Sequence, residues 1–188
     1  EFKGQTVIIF VGTCNNALRI TLMLRNLGFS AVCLHGQLSQ QKRLGALNKF
    51  KAGAKNILVA TDVASRGLDI PNVDLVLNVD IPSHGKDYIH RVGRTARAGK
   101  AGRSIAYVTQ YDVEAYQRLE ALLQHKLPEY STDEETVLVL LERVNEAQRL
   151  AARELRELQA QDPQLQRKKK RKEGEDGRGG GGMVSSNL

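Results

Sequence analysis

A repeated switch of hydrophobic period restricts this chain more than any other feature. Five short apolar runs read as strands: "TVIIFV" (6–11), "SAVCLH" (30–35), "NILVA" (56–60), "DLVLNVDI" (74–81) and "RSIAYVTQ" (103–110). Helical patterns lie between them. "NALRITLMLRNLG" (16–28) places Leu18, Leu22, Met23 and Leu27 at helical spacing and stops at Gly28. In "SQQKRLGALNKFKAG" (39–53), Ser39 is a candidate N-cap, Leu44, Leu47 and Phe50 form the stripe, and Gly53 ends the helix. Further helices are predicted from 84 toward 96 and from about 112 to 126. Strands alternating with helices of this length make βαβ units, and near-continuous apolar strands fit a parallel sheet covered on both faces. The fold class expected is therefore α/β.

In such sheets ligand sites collect where strands end and loops begin. The residues that do not suit a core cluster there: Thr13, His35-Gly36, Thr61-Asp62 and Asp80 each follow or close a strand.

Composition narrows the partners. The net charge is +7, but residues 167–188 supply +4 of it, chiefly through "RKKKRK" (167–172). Such a segment favours a polyanion, nucleic acid first. The two cysteines, Cys14 and Cys33, have neither a metal-ligand spacing nor the number for a disulfide framework, and read as buried free thiols. The longest apolar stretches are too short to span a bilayer, and "EFKGQTV" has no signal-peptide pattern. With no initiator Met and a strand almost at once, the chain reads as cut from a longer protein.

After Pro128 the character changes. Residues 132–161 carry Val137, Leu140, Leu141, Val144, Ala147, Ala151, Leu155 and Leu158 on one amphipathic stripe, and Thr132 with Glu135 is a capping-box pattern. One or two helices are expected, the first part packed on the domain and the charged far half projecting into solvent. The composition of 162–188 cannot bury a core and is expected to be disordered. The division is thus 1–128, 129–161 and 162–188.

Four clusters carry chemistry. "HRVGRTARAG" (90–99) sets Arg91, Arg94 and Arg97 three apart, a slanting stripe if helical, tolerable where a polyanion sits among them. "ATDVASRGLDI" (60–70) combines the Thr61 hydroxyl, the permissive Gly67, and two charged residues, Arg66 and Asp69, in an apolar setting. An acid so placed can accept from ribose hydroxyls. "VGT" (11–13) follows the first strand. In "HGQLSQQKR" (35–43), Gln40 and Arg43 share a helix face near a free N-terminus.

In order and spacing, "VIIFVGT", "HGQLSQQKR", "KFKAG", "ATDVASRGLDI", "NVDIP" and "HRVGRTARAG" closely resemble the C-terminal RecA-like lobe of the DEAD-box RNA helicases, over roughly residues 5–128. "TCNNALR", "MLRNLGF", "HGQLSQQKRLGALNKF" and "VTQYDVE" are similar to the nucleolar branch that matures small-subunit ribosomal RNA. The resemblance implies two lobes closing on ATP and a single RNA strand. It implies arginine fingers at Arg94 and Arg97, and a link from His90 and Arg91 to the acidic motif of the other lobe. Asp69 corresponds to the ribose contact. Thr13, Gln40, Arg43, Thr61 and Gly67 correspond to contacts with the RNA backbone, and Arg66 to a residue joining the closed lobes. Ala96 stands where many members have Gly.

The implied cofactor is ATP with Mg2+; no metal ligands are expected here, because the chain has neither a GxxxxGK[ST] loop nor an Asp-Glu-Ala-Asp motif. Those parts belong to an N-terminal lobe, so this chain alone is expected to be inactive. The implied partners are single-stranded or duplex RNA (pre-ribosomal RNA first), the N-terminal lobe and pre-ribosomal proteins, without a membrane, in the nucleus and its nucleolus. The other reading is a non-catalytic RNA-binding or scaffold module.

Overall fold

The computed structural model describes residues 4–97, 99 and 101–161. Five strands, β1 (Val7–Phe10), β2 (Ala31–Leu34), β3 (Ile57–Ala60), β4 (Leu75–Asn78) and β5 (Arg103–Ala106), form one parallel sheet in the order β2-β3-β1-β4-β5. Each strand is shorter than its apolar run. Once the chain passes the last paired residue it turns into the loops of the carboxyl edge, as at Val79–Ile81 and Tyr107–Gln110.

The period-two pattern of the strands separates two cores. Ile8, Phe10, Val32, Leu34, Leu58 and Val76 face Ala46, Leu47 and Phe50 of α2 (Gln40–Lys51), with Ala64 of the helical turn α3 (Asp62–Ser65) and with Ile70 and Val73. Val7, Ile9, Val11, Cys33, Val59 and Leu75 face Ala17, Leu18, Ile20 and Leu24 of α1 (Cys14–Asn26). Helices thus cover both faces. On α2 the buried set is Ala46, Leu47 and Phe50, and Leu44 of the expected stripe is exposed. Thr13 caps α1 by accepting from the Asn16 amide at 3.1 Å, and Ser39 caps α2 by accepting from that of Lys42 at 3.4 Å.

α4 (Gly85–Val92) stops earlier than the expected 84–96. Gly93 is a poor helix former, and beyond it the chain finds other partners. The Val73 amide donates to the Arg94 carbonyl at 3.0 Å, and the Thr95 hydroxyl donates to the Val73 carbonyl at 2.5 Å. Arg94 and Arg97 therefore lie on a loop, and the continuous helical stripe of three arginines does not form. α5 (Val113–Leu123) follows β5.

The extension contains α6 (Glu134–Val139) and α7 (Leu141–Gln161). Asp133 rather than Thr132 caps α6, its carboxylate accepting from the Glu135 amide at 3.2 Å. The packing reverses the expectation. No residue of α6 is buried, and Val137, Leu140, Leu141 and Leu158 are exposed. The far half docks, with Ala147, Ala151 and Leu155 buried and Leu155 and Ala151 against Leu22, Leu18 and Met23 of α1. Small alanines let two helices approach closely, which suits the middle of α7 better than the bulky aliphatic run at its start. α7 runs antiparallel to α1: Arg143 donates to the Leu27 carbonyl at 3.4 Å near one end, and Gln159 to Asn15 at 3.0 Å near the other. The reading of 162–188 as a disordered tail falls outside the described residues.

Cys33 is buried, which pushes its thiol up to about 11, while Cys14 is half-buried. Among the described residues, no helix is long and apolar enough to cross a membrane.

Candidate functional site

The carboxyl edge of the sheet gathers almost every residue singled out by the sequence. At its centre, after β1, the Gly12 amide donates to Asp80 Oδ2 at 2.6 Å, which joins the first loop to the end of β4 and places Thr13 beside it. Beyond β2 come His35 and then the first turn of α2 with Gln40 and Arg43. Arg43 Nη2 donates to the Ala64 carbonyl at 3.0 Å and Nη1 to Gln40 Oε1 at 3.3 Å, so α2 is tied to the turn after β3. The Thr61 hydroxyl, Arg43 Nε and both ring nitrogens of His35 are buried without a partner among the described residues. A buried polar atom left unpaired costs about 1–3 kcal/mol, and these four belong to residues at the carboxyl ends of β2 and β3 and the first turn of α2. Burial holds the His35 ring toward its neutral form.

The other half of the edge is a cleft of about 230 Å³ lined by Phe10, Asp62, Ser65, Arg66, Gly67, Asp87, His90, Arg91 and Arg94. Its floor is a closed polar network. Arg91, only 2% exposed, forms a two-point pair with Asp62: Nε and Nη2 each donate at 2.7 Å. Nη1 donates to Asn78 Oδ1 at 3.1 Å and to the Asp80 carbonyl at 2.6 Å, and the guanidinium lies 5.1 Å from the Phe10 ring centre. Arg91 is thus spent inside the protein and differs from its neighbours in the motif.

Arg94 lines the cleft, half-buried. Desolvation and the nearby Arg97 weaken its hold on its proton, while Asp69 strengthens it. Arg94, Arg97 and Asp69 therefore share one electrostatic neighbourhood. Asp69 is exposed, its carboxyl held below the usual range mainly by a 2.7 Å bond from Lys51 Nζ. Arg66 pairs with Asp87 across the rim. Gly67 sits at φ +70, a region where an L side chain is strained, and it turns the chain between Arg66 and Asp69. His90 is exposed on the last turn of α4.

The structure brings Gly67, Arg66, His90, Arg91 and Arg94 to one cleft, and Thr61, Gln40 and Arg43 to the neighbouring stretch of the edge. Thr13 stands apart at the N-terminus of α1. Sequence reasoning missed the partners: Asp62, Asn78 and Asp80 for Arg91, Asp87 for Arg66, and Lys51 for Asp69. One signal was available, because Asn78 interrupts an otherwise apolar strand and is fully buried; a buried amide requires a polar partner.

A parallel sheet covered on both faces, with an arginine loop at a polar carboxyl edge, places the chain among the RecA-like α/β domains. Comparison agrees: the family model of the helicase conserved C-terminal domain matches residues 1–99, and the chain belongs to that family. It is 66% identical over 157 residues to the Mus musculus protein named "Probable ATP-dependent RNA helicase DDX47", covering 84% of this chain and 34% of the relative. It is 61% identical over 158 residues to the Schizosaccharomyces pombe "ATP-dependent rRNA helicase rrp3", covering 84% and 34%. The chain thus spans about a third of the length of these curated relatives. Among solved structures, the E. coli DEAD-box protein SrmB bound to regulator of ribonuclease activity A matches with TM-score 0.65 and 37% identity over 69% of this chain and 76% of that one. Domain 2 of the DEAD-box helicase Mss116p, bound to an RNA duplex, matches with TM-score 0.63 and 34% identity over 74% and 57%.

Proposed function

We propose that this chain is the second lobe of an ATP-dependent RNA helicase, closing with an N-terminal lobe on ATP and single-stranded RNA during ribosomal RNA maturation. One observation carries the reading. Arg94 reaches the cleft from a loop clamped at Thr95 to Val73, beside Arg97 and Asp69 and next to a polar surface with unpaired buried atoms.

In this reading Arg94 and Arg97 are the catalytic fingers that place positive charge on the transferring phosphoryl group, an effect worth ~10³–10⁵ in rate where it has been measured. Thr95 and the Arg94 carbonyl tie the loop that holds them to Val73. Asp69 and Gly67 receive the ribose side of the nucleotide. His90 reaches toward the other lobe, and Arg66 joins the lobes after leaving Asp87. Arg91 positions the finger loop from below through Asp62. Thr13, Gln40, Arg43, Thr61 and Gly67 hold the RNA backbone, contacts that carry no sequence information. ATP supplies the driving step; its Mg2+ is assigned to the N-terminal lobe. Among the described residues, no three His, Cys, Asp or Glu cluster as a metal site. The rRNA helicase names among the relatives support ribosomal RNA as the substrate class; pre-ribosomal proteins as partners and the nucleolus as location belong to the same reading.

The test is ATP hydrolysis, with and without single-stranded RNA, by this chain alone and by the chain joined to its N-terminal lobe. Silence alone and RNA-stimulated turnover when joined are the expected results. In the joined protein, Arg94→Ala abolishes turnover and spares RNA binding; loss of binding with turnover intact overturns the finger role. Silence in both forms returns the chain to a non-catalytic RNA-binding module.

A further inference from the structure

Lys51 has no place in the chemistry above, yet among the described residues it makes the side-chain bond that restrains Asp69. It is the last residue of α2, whose buried Ala46, Leu47 and Phe50 fix the helix in the core. Its ammonium reaches across to the loop after Gly67 and binds Asp69 Oδ2 at 2.7 Å. That loop is anchored by Ile70 and Val73, both nearly inaccessible, so its backbone is set while the Asp69 carboxylate stands open to water. Among the described residues, Oδ1 makes no hydrogen bond. A two-oxygen acceptor held at one oxygen by a fixed cation presents the other in one direction.

We infer that Lys51 is a positioning residue for nucleotide recognition: it orients Asp69 so that Oδ1 accepts from a ribose hydroxyl. The inference rests on the assignment of Asp69 to the ribose. An exposed pair of this kind adds little to folding, so its value lies in holding the acceptor ready before the ligand arrives. Orientation settled in advance is ordering that the nucleotide does not have to bring about. The positive charge also holds the Asp69 carboxyl below its usual range, which favours the ionised, accepting form.

The experiment uses the full-length protein and compares ATP with 2′,3′-dideoxy-ATP, which lacks both ribose hydroxyls, in RNA-stimulated hydrolysis. Lys51→Met keeps the aliphatic stem and removes the donor. Its KM for ATP rises about three- to ten-fold, the equivalent of one lost orienting contact, while its KM for the dideoxy analogue stays constant. Lys51→Arg restores the ATP value, and the melting temperature is unmoved by either change. An equal rise for both nucleotides overturns the inference, since Lys51 then acts on the nucleotide as a whole. So does an unchanged or lowered KM for ATP, which makes the pair a solvated one or a competitor of the ribose. Asp69→Asn serves as the separate control. If it leaves the ratio of the two KM values unaltered, the ribose assignment itself fails and takes the role of Lys51 with it.

Discussion

Arg91 and Asp62, 29 residues apart in the chain, meet through two bonds of 2.7 Å, and this pair holds the end of α4 against the turn after β3. Removing one partner is unequal in effect. Asp62 retains 24% exposure, whereas Arg91 has 2%. Asp62→Ala strands a buried cation and costs about 3–5 kcal/mol in urea denaturation. Arg91→Met leaves a carboxylate that water can still reach, at about 1–3 kcal/mol. The double variant costs clearly less than the sum. Additive losses show that the two side chains do not act as a pair.

The finger loop is strained at one point and crowded at another. Ala96 sits at φ +54, a conformation that costs an L-residue roughly 1–2 kcal/mol. Ala96→Gly therefore raises stability by up to about 1 kcal/mol, less the entropy that glycine adds to the unfolded chain. Gly102 packs so tightly that a Cβ would overlap the Thr95 hydroxyl and the backbone nitrogen of Ala96. Gly102→Ala pushes the loop away from Val73 and lowers turnover of the joined protein more than it lowers its melting temperature. Full turnover in that variant shows the loop to be adaptable.

His35 gives the lobe an acid sensitivity. Burial depresses its folded pKa below the usual 6.5. Well above its usual 6.5 both states are neutral and the group contributes no pH dependence. As pH falls toward and through about 6.5 the unfolded chain binds a proton that the folded chain refuses, so stability declines until the folded value is passed. Denaturant midpoints at pH 7.5 and 5.5 show this as a drop, and His35→Phe reduces that drop. An unreduced drop assigns the sensitivity to other groups.

The extension can be released without loss of the sheet. Ala151 is fully buried between α7 and α1, while neither core on the two sheet faces uses an α7 residue. Ala151→Asp puts an unpaired charge in that seam. The expected outcome is loss of about one long helix by circular dichroism, with a protease-resistant core ending near residue 128. Cooperative loss of everything shows that α7 is needed for the lobe to fold.

Legibility in the sequence followed the range of the interaction. The strand and helix order was readable because period is a local property, as was the capping by Ser39; the cap that Thr13 supplies to α1 was not read. The end of α4 was not, since "RTA" continues a helical pattern and only Val73, far back in the chain, competes for its backbone. The apolar stripe of 137–158 marked an amphipathic segment but not which half docks; alanine spacing decided that, and hydrophobicity alone points the other way. In the site, residue types and their order were visible. Partnerships such as Lys51 with Asp69 or Asp62 with Arg91 were not, because they depend on which loops the sheet order makes neighbours.

The antiparallel course of α7 has a geographical result. β1 starts at Val7 on the amino rim of the sheet. α7 begins beside Leu27, near that same rim, and its 21 residues carry the chain about 30 Å to Gln159, beside Asn15. Gln159 and the end of α7 thus lie beside the first turn of α1, two residues from Thr13, at the carboxyl edge of the sheet. Had α7 lain parallel to α1, its C-terminal end would have sat at the amino rim, on the far side of the sheet from Thr13.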